Sequence, residues 1–267
     1  MALSALDSLS PARRRLVHAL LGLVALLAVA AAVAGALTSD DPIDPVPQDE
    51  PGPVLLVPGY GGSTTSLQVL GDSLTADGRD VRIVAPTGSG TQDLREQASD
   101  LGAVVSAVLK ETGAPSVDLV GYSAGGVVVR IYVADLGGGS LVRRAVTLAS
   151  PHHGTDLAAL AGSLGSKACP AACSQLATDS DLLRRLNAAD ESPAGPMWVA
   201  LWTEDDATVV PADSGSLEGA LAIRLQAVCP GLDVAHADVP RTPAGIAIVT
   251  DVLGRGAPTE PSGSVCS

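Results

Sequence analysis

From Pro53 onward, short apolar runs rich in β-branched residues alternate with segments that have the three- and four-residue spacing of a helix. This alternation constrains the fold more than any other feature of the sequence. The apolar runs, which we interpret as strands, lie within residues 53–59, 77–86, 116–121, 143–150, 196–203 and 219–228. The segments interpreted as helices are residues 64–75, 91–112, 124–136 and 242–253.

Strands that alternate with helices form a mostly parallel sheet with helices on both faces. Right-handed crossover connections then make the sheet doubly wound. We therefore predict an α/β fold of this kind. Because ligands of such sheets bind beyond the carboxyl ends of the strands, reactive residues are expected just after a strand.

A serine follows the third predicted strand directly. Residues 121–125 read Gly-Tyr-Ser-Ala-Gly and fit the pattern G-x-S-x-G between a strand and a helix. A sharp turn there lifts the hydroxyl of Ser123 above the sheet, and the flanking glycines avoid clashes in the bend. The helix that begins near Ala124 directs free backbone N–H groups to the same spot, where they suit a developing negative charge. We interpret Ser123 as a nucleophile.

A nucleophilic serine requires a histidine that takes its proton and a carboxylate that orients the histidine. Of the four histidines, only His236 follows both the last strand and the candidate acids. Those acids, Glu204, Asp205 and Asp206, follow the fifth strand. Adjacent carboxylates repel one another, so at least one of the three is expected to point into solvent. Asp206 is the favoured partner of His236, and Asp205 is the second choice.

The glycine-rich stretch after the first strand, VPGYGGS, is expected to supply a second backbone donor for an oxyanion. We predict that the amides of Tyr60 and Ala124 form this oxyanion hole. Gly59 would let the backbone approach the substrate closely. The stretch lacks the Lys-Ser/Thr ending of a P-loop, so we discard a phosphate-binding interpretation.

The amino-terminal segment predicts export. Three arginines, at positions 13 to 15, precede an uncharged apolar run over residues 16–37, which is long enough to span a bilayer as a helix. We expect residues 1–37 to be a signal peptide or, slightly favoured, an uncleaved transmembrane anchor that associates with the membrane through residues 16–37. The rest of the chain would then be extracytoplasmic. Residues 38–52 are interpreted as a linker rich in proline and acid, which leaves residues 53–267 as the folded domain.

The four cysteines agree with export, because an even number outside the cytosol favours disulfides. Three pairings are open, of which the simplest joins Cys169 to Cys173 and Cys229 to Cys266. The spacing of cysteines and histidines does not fit a zinc finger, and the group His152, His153 and Asp156 has no further ligand at helical spacing. We expect neither a metal nor another cofactor.

Charge and length exclude some classes of function. The net charge of −13 argues against a nucleic-acid partner or an anionic membrane surface, because no basic patch is present to pair with phosphates. The chain of 267 residues is long enough for one large domain with a substantial core.

Four stretches together resemble the small secreted bacterial lipases and esterases of the α/β-hydrolase superfamily, the lipase class 2 group: VLLVPGYGGSTTSL, DLVGYSAGG, LASPHHGT and WTEDDATVVP. The resemblance covers roughly residues 53–254 and includes the order of the motifs. It implies the α/β-hydrolase fold and a metal-free serine mechanism that cleaves esters, often triacylglycerols. It also places the acid on Asp206. The sequence departs from the pattern at Pro58, where many relatives carry a histidine.

The resemblance further implies that the SPHHGT stretch, with His152 and His153, lines the substrate cleft. Gly59 and Tyr122 complete the predicted substrate contacts. Residues 156–196 are interpreted as a small cap or acyl-binding wall, or equally as a helix that only packs on the surface. We expect a monomer that acts on an ester or lipid substrate. Two alternatives remain open: an acyltransferase or peptidase with the same three residues, and a non-catalytic binding protein on a hydrolase fold.

Overall fold

The structure is a computed structural model that describes residues 10–37, 46–163 and 169–266. The chain divides into two compact units, Met1–Pro42 and Ile43–Ser267. The first unit contains helix α1 (Pro11–Leu37). No helix among the described residues is both long enough and apolar enough to cross a membrane. Residues 1–9 of the predicted signal or anchor segment lie outside the described residues.

The described part of the second unit contains six strands: β1 (Val54–Val57), β2 (Val81–Ile83), β3 (Val117–Tyr122), β4 (Val142–Leu148), β5 (Met197–Trp202) and β6 (Leu221–Arg224). They pair in parallel in the order β2-β1-β3-β4-β5-β6. The direction of winding reverses between β1 and β3, because the chain adds β2 on one side and all later strands on the other. The predicted parallel, doubly wound α/β sheet is confirmed.

Helices cover both faces of this sheet. They are α2 (Gln68–Ala76), α3 (Leu94–Thr112), α4 (Ala124–Asp135), α5 (Asp156–Ser163), α6 (Ala171–Gln175), α7 (Asp181–Asn187), α8 (Leu225–Val228) and α9 (Pro243–Val252). Because side chains alternate along a strand, Leu55 and Val57 pack in the core layer with α3 and α4. Val54 and Leu56 pack in the opposite layer, with α2 and α9.

Helix α3 starts three residues later than the sequence predicted. Its first turn is capped by Asp93, whose carboxylate accepts a hydrogen bond of 2.7 Å from the amide of Arg95. The helix ends as predicted, at Thr112, because Gly113 adopts the left-handed conformation with φ 70°. The cap residue, and not the apolar periodicity, sets the start of this helix.

Two predicted segments differ from the structure in their detail. The run 219–228 is strand β6 followed by helix α8. Arg224 pairs with Trp202, where β5 ends, so the next residues have no strand to pair with. The proposed cap, residues 156–196, contains the three short helices α5, α6 and α7, and its residues 164–168 lie outside the described part.

The second half of the predicted linker is packed against the folded unit. Val46 is 6% exposed, and the Gln48 side chain donates hydrogen bonds to the carbonyl oxygens of Val46 and Arg143. Residues 46–52 therefore belong to the folded unit and are not a free linker. Residues 38–45, the remainder of that prediction, lie outside the described residues.

A buried ion-pair group, which we call the Asp118 cluster, lies at the amino edge of the sheet and consists of Asp118, Arg143 and Arg79. Asp118 and Arg143 are fully buried, and their side chains form two parallel hydrogen bonds of 2.8 and 2.6 Å. Arg79 donates a third, of 2.6 Å, to the same carboxylate. Arg143 also donates to three carbonyl oxygens, that of Gln48 near the start of this unit and those of Leu253 and Gly254 just after α9. The cluster thus ties the start of the unit and the segment after α9 to the central strands.

Two disulfides join Cys169 to Cys173 and Cys229 to Cys266. This is the simplest of the three pairings that the sequence left open. Disulfides persist in oxidising compartments, so this pair is typical of a protein that lies outside the cytoplasm.

A second buried polar group surrounds His152, which is fully buried. Its Nε2 lies 3.0 Å from the hydroxyl oxygen of Thr147, and its backbone carbonyl accepts a hydrogen bond from the buried Arg130. Burial, together with the positive charge of Arg130, holds the pKa of His152 well below its usual value of 6.5. The imidazole is therefore neutral in the folded protein at neutral pH.

Replacing Asp118 by Asn should strongly destabilise the protein, because it leaves a buried guanidinium group without its counter-charge. We expect a loss of roughly 3–5 kcal/mol in the free energy of unfolding, measured by urea denaturation. Glu111→Gln is the matched control, since Glu111 pairs with an arginine, Arg82, at the surface and its loss should hardly move the unfolding midpoint. Equal shifts for the two variants would contradict the structural role of the Asp118 cluster.

The buried imidazole of His152 should make stability depend on pH. As the pH falls through about 6.5, the unfolded chain binds a proton at His152 more readily than the folded chain does, so the free energy of unfolding decreases. We expect the urea midpoint to fall between about pH 7.5 and about pH 5, and His152→Gln to reduce that fall. His153→Gln removes the neighbouring, exposed imidazole and serves as the control. If the two variants had the same pH profile, the assignment to His152 would be wrong.

Candidate active site

Ser123 lies at the turn between β3 and α4, with the unusual backbone angles φ 53° and ψ −125°. A non-glycine residue with positive φ is strained, and such strain persists only where the surroundings enforce it. Here the amide of Ser123 donates a hydrogen bond of 2.8 Å to the carbonyl oxygen of Leu148, at the end of β4. The turn is thereby fixed to the neighbouring strand at the carboxyl edge of the sheet.

The two glycines that flank this turn are required by close contacts. A methyl group on Gly121 would lie 2.6 Å from the carbonyl oxygen of Gly125. A methyl group on Gly125 would overlap the carbonyl oxygens of Val57 and Pro58, at the end of β1. The absence of side chains at both positions lets α4 begin directly against strand β1.

The structure brings three predicted site residues into one hydrogen-bonded line. The Nε2 atom of His236 lies 3.1 Å from the Oγ atom of Ser123, and its Nδ1 atom lies 2.7 Å from Oδ2 of Asp206. The side chain of Asp206 is 2% exposed and that of His236 is 10% exposed. Three loops that are far apart in sequence therefore meet at this edge and form a largely buried path from carboxylate to hydroxyl.

The carboxylate of Asp206 is held by its own loop. Its Oδ1 atom accepts hydrogen bonds of 2.8 Å from the amide of Thr208 and 2.7 Å from the amide of Val209. These bonds occupy one oxygen and leave the other directed at His236. An aspartate that bonds the backbone two residues further on is a common way to build such a turn.

The other two candidate acids lie elsewhere. Asp205 accepts hydrogen bonds from the side chain of Gln226, at 2.8 Å, and from the amide of Val234, at 3.2 Å. Glu204 forms an exposed ion pair of 2.9 Å with Arg224. The structure thus joins His236 to Asp206, the first of the two choices that the sequence left open.

Thr203 and Gln226 support the site and were not identified from the sequence. The Thr203 hydroxyl donates a hydrogen bond of 2.8 Å to the carbonyl oxygen of Val234, two residues before His236. The amide nitrogen of Gln226 contacts that hydroxyl at 2.8 Å and the carboxylate of Asp205 at 2.8 Å. We call Thr203, Asp205 and Gln226 the loop clasp. Nothing in the sequence signalled Gln226, because it fell within a run interpreted as strand.

The predicted oxyanion donors lie on either side of Ser123 in the fold. Ala124 is the first residue of α4, where a helix leaves its amides unpaired, and Tyr60 follows β1. Neither amide donates a hydrogen bond to an acceptor within the described part of the chain. Gly59 is close to the serine, since a methyl group there would lie 3.0 Å from Cβ of Ser123.

Tyr122 contacts the histidine of this site. Its ring centroid lies 5.2 Å from that of His236, and its hydroxyl donates a long hydrogen bond of 3.4 Å to the His236 carbonyl oxygen. Burial, with the negative charge of Asp206 nearby, raises the pKa of Tyr122 to about 12, so the phenol stays protonated. Tyr122 therefore forms a neutral wall behind the imidazole.

The two adjacent histidines lie outside the line of Ser123, His236 and Asp206. His152 is in the interior and has no surface that a substrate could reach, so its predicted substrate contact does not fit the structure. His153 is exposed and lies 2.9 Å from a carboxylate oxygen of Glu191. Among the described residues, no three or more His, Cys, Asp or Glu side chains are grouped to hold a metal ion.

Known proteins with this arrangement of strands include lipases. The sequence model of the alpha/beta hydrolase fold family matches residues 52–166. Lipase B of Aspergillus fumigatus is 19% identical and superposes with a TM-score of 0.65 over 81% of this chain and 56% of its own. The Bacillus licheniformis lipase BlEst2, in its propeptide form, is also 19% identical, with a TM-score of 0.64 over 83% of this chain and 54% of its own.

The chain thus spans about half the length of these two lipases. A protein of Listeria innocua, the product of gene lin2722, is 17% identical, with a TM-score of 0.55 over 73% of this chain and 91% of its own. At these identities the similarity concerns the fold. Taken together, the family match over residues 52–166 and the order of the sheet show that the chain has the α/β-hydrolase fold.

Proposed function

We propose that this protein is a serine hydrolase that cleaves carboxylic esters through an acyl-enzyme intermediate. The observation that supports this most strongly is the position of His236, which bonds the Ser123 hydroxyl through one ring nitrogen and Asp206 through the other. That geometry matches the requirements for a serine nucleophile, a general base and an orienting carboxylate. The strained turn of Ser123 at a strand end adds support, since α/β-hydrolases carry their nucleophile there.

In the first half of the proposed reaction, Oγ of Ser123 attacks the carbonyl carbon of the ester, and its proton passes to Nε2 of His236. Asp206 accepts the hydrogen bond from Nδ1 and stabilises the imidazolium. The amides of Tyr60 and Ala124 bind the oxyanion of the tetrahedral intermediate. When the intermediate collapses, the alcohol leaves with the proton from His236, and the acyl group remains on Ser123.

In the second half, water attacks the acyl carbon of the ester on Ser123 and gives a proton to Nε2 of His236. A second tetrahedral oxyanion forms at the same amides. Its collapse breaks the bond to Oγ of Ser123, which regains the proton, and releases the carboxylic acid. Asp206 keeps the ring of His236 in the same orientation throughout, so one base serves both halves.

The substrate class follows from similarity and charge. Two of the similar solved structures are named lipases, which favours an acyl lipid or another acyl ester as substrate. The net charge of −13 disfavours a strongly anionic substrate surface. The disulfides and the arginine-rich amino-terminal segment favour an exported enzyme that is either secreted or held by residues 16–37. We further propose that it works as a monomer.

Replacing Ser123 by Ala should lower kcat/KM for p-nitrophenyl esters by at least about a thousandfold, because no other group can form the acyl intermediate. A fluorophosphonate probe should label the unaltered protein and not this variant. Ser106→Ala, on the exposed side of α3, is the control and should be labelled normally. A folded, unaltered protein that resists the probe would instead favour a binding protein on a hydrolase fold.

Asp205 and Asp206 are adjacent in sequence, so matched variants of the two can be compared directly. Asp206→Asn should lower kcat by roughly 10,000-fold, because an amide no longer holds the required tautomer of His236. Asp205→Asn keeps an oxygen that can accept from Gln226 and Val234, so its effect on kcat should be far smaller. Steady-state kinetics on the same ester decides between them. Similar losses in both variants would mean that Asp206 has no special role.

A further inference from the structure

A cavity of about 270 Å³ lies beside the candidate active site, and none of the residues that line it takes part in the mechanism above. We call it the Gly59 cavity. It lies between the loops that follow β1 and β2 and the first turns of α3 and α4. Its inner wall is mostly apolar and includes Val57, Pro58, Val84, Leu101, Val104 and Val128. A cavity with such a wall favours an apolar ligand.

Gly59 connects this cavity to Ser123. The residue lines the cavity, and a methyl group on it would lie only 3.0 Å from Cβ of Ser123. Gly59 therefore lies between Ser123 and the cavity, and its small size keeps the two within one residue of each other. Gly125 contributes to this closeness, since α4 lies directly against the end of β1 and brings Val128 to the cavity wall.

The Gly59 cavity also lies at the position in the sheet where a binding site is expected. The winding of the sheet reverses between β1 and β3, and ligands of doubly wound sheets bind at the carboxyl edge at such a reversal. Ser123 follows β3, and Gly59 follows β1. The Gly59 cavity thus lies at the same edge and at the same reversal as the serine.

The size of the cavity limits what it can hold. An apolar cavity of about 150 Å³ is known to accept benzene, so about 270 Å³ holds roughly ten apolar carbons. Further out, the lining becomes polar, with Thr87, Gln97 and the exposed carboxylate of Asp100. A longer alkyl chain would reach these groups and lose the benefit of burial.

We infer that the Gly59 cavity binds the acyl chain of the ester and that the preferred substrates carry medium-length acyl chains of up to roughly ten carbons. This inference rests on the proposed function, because it assumes an acyl group on Ser123. Val104 and Val128 determine the depth of the cavity, since they form its wall from α3 and α4. The protein should therefore cleave esters of medium-chain acids, dissolved or dispersed in water, in preference to esters of long-chain acids.

The test is a series of p-nitrophenyl esters with the unaltered protein and two variants of one wall residue. Unaltered protein should show a kcat/KM for octanoate about tenfold or more above that for palmitate, both dispersed in the same detergent. Val104→Phe fills the cavity and should lower the ratio of octanoate to acetate by about tenfold or more. Val104→Ala enlarges it and should raise the ratio of laurate to octanoate. Val69→Phe, on the exposed side of α2, is the matched control and should leave both ratios unchanged.

Several results would overturn the inference. Ratios within about twofold of the unaltered protein in both Val104 variants, with normal unfolding midpoints, would show that the acyl chain lies elsewhere. A second series would vary the alcohol of the ester at a fixed acyl length. If the Val104 variants changed the preference for the alcohol and not the preference for acyl length, the cavity would bind the alcohol instead. If Ser123 is labelled by fluorophosphonate but palmitate is the best substrate, only the inference fails. If Ser123 is not labelled and no ester is turned over, the proposed function fails with it.

Discussion

The close approach of helix α4 to strand β1 at Gly125 is the contact on which the rest of the site depends. Because no Cβ atom fits between Gly125 and the carbonyl oxygens of Val57 and Pro58, this contact exists only with glycine at that position. It brings the turn of Ser123 over the end of β1 and places Gly59 against the serine. The turn of Ser123, the first amide of α4 and the Gly59 cavity therefore share one origin in a backbone-to-backbone contact.

The remaining parts of the site follow β5 and β6, and hydrogen bonds hold them in addition to the apolar packing of Val209, Val234 and Val239. Asp206 is fixed by two amides of its own loop, and the loop of His236 is joined to it by the loop clasp. Such polar contacts are directional, so they set the angle of the imidazole more precisely than hydrophobic burial would. The site thus combines the strained turn of Ser123 with a histidine whose orientation depends on a small hydrogen-bonded network.

Much of this arrangement could be predicted from the sequence, and the reasons are physical. All six strands were identified because parallel strands are buried on both faces and read as apolar runs, and Ser123 and His236 were selected because each follows a strand. The choice between Asp205 and Asp206 could not be made from residue type, since it depends on which carboxylate meets the amides of Thr208 and Val209. The burial of His152 was missed for the same reason, because two adjacent histidines look alike until packing separates them.

The Asp118 cluster lies at the opposite edge of the sheet from Ser123, and its arginines bind backbone oxygens near the start of the folded unit and just after α9, at Gln48, Gly52, Leu253 and Gly254. The start of the folded unit and the segment that follows α9 are therefore neighbours at the amino edge of the sheet. The carboxyl-terminal tail is fastened elsewhere, because the disulfide from Cys266 to Cys229 holds it beyond the carboxyl end of β6, at the edge of the sheet that carries Ser123.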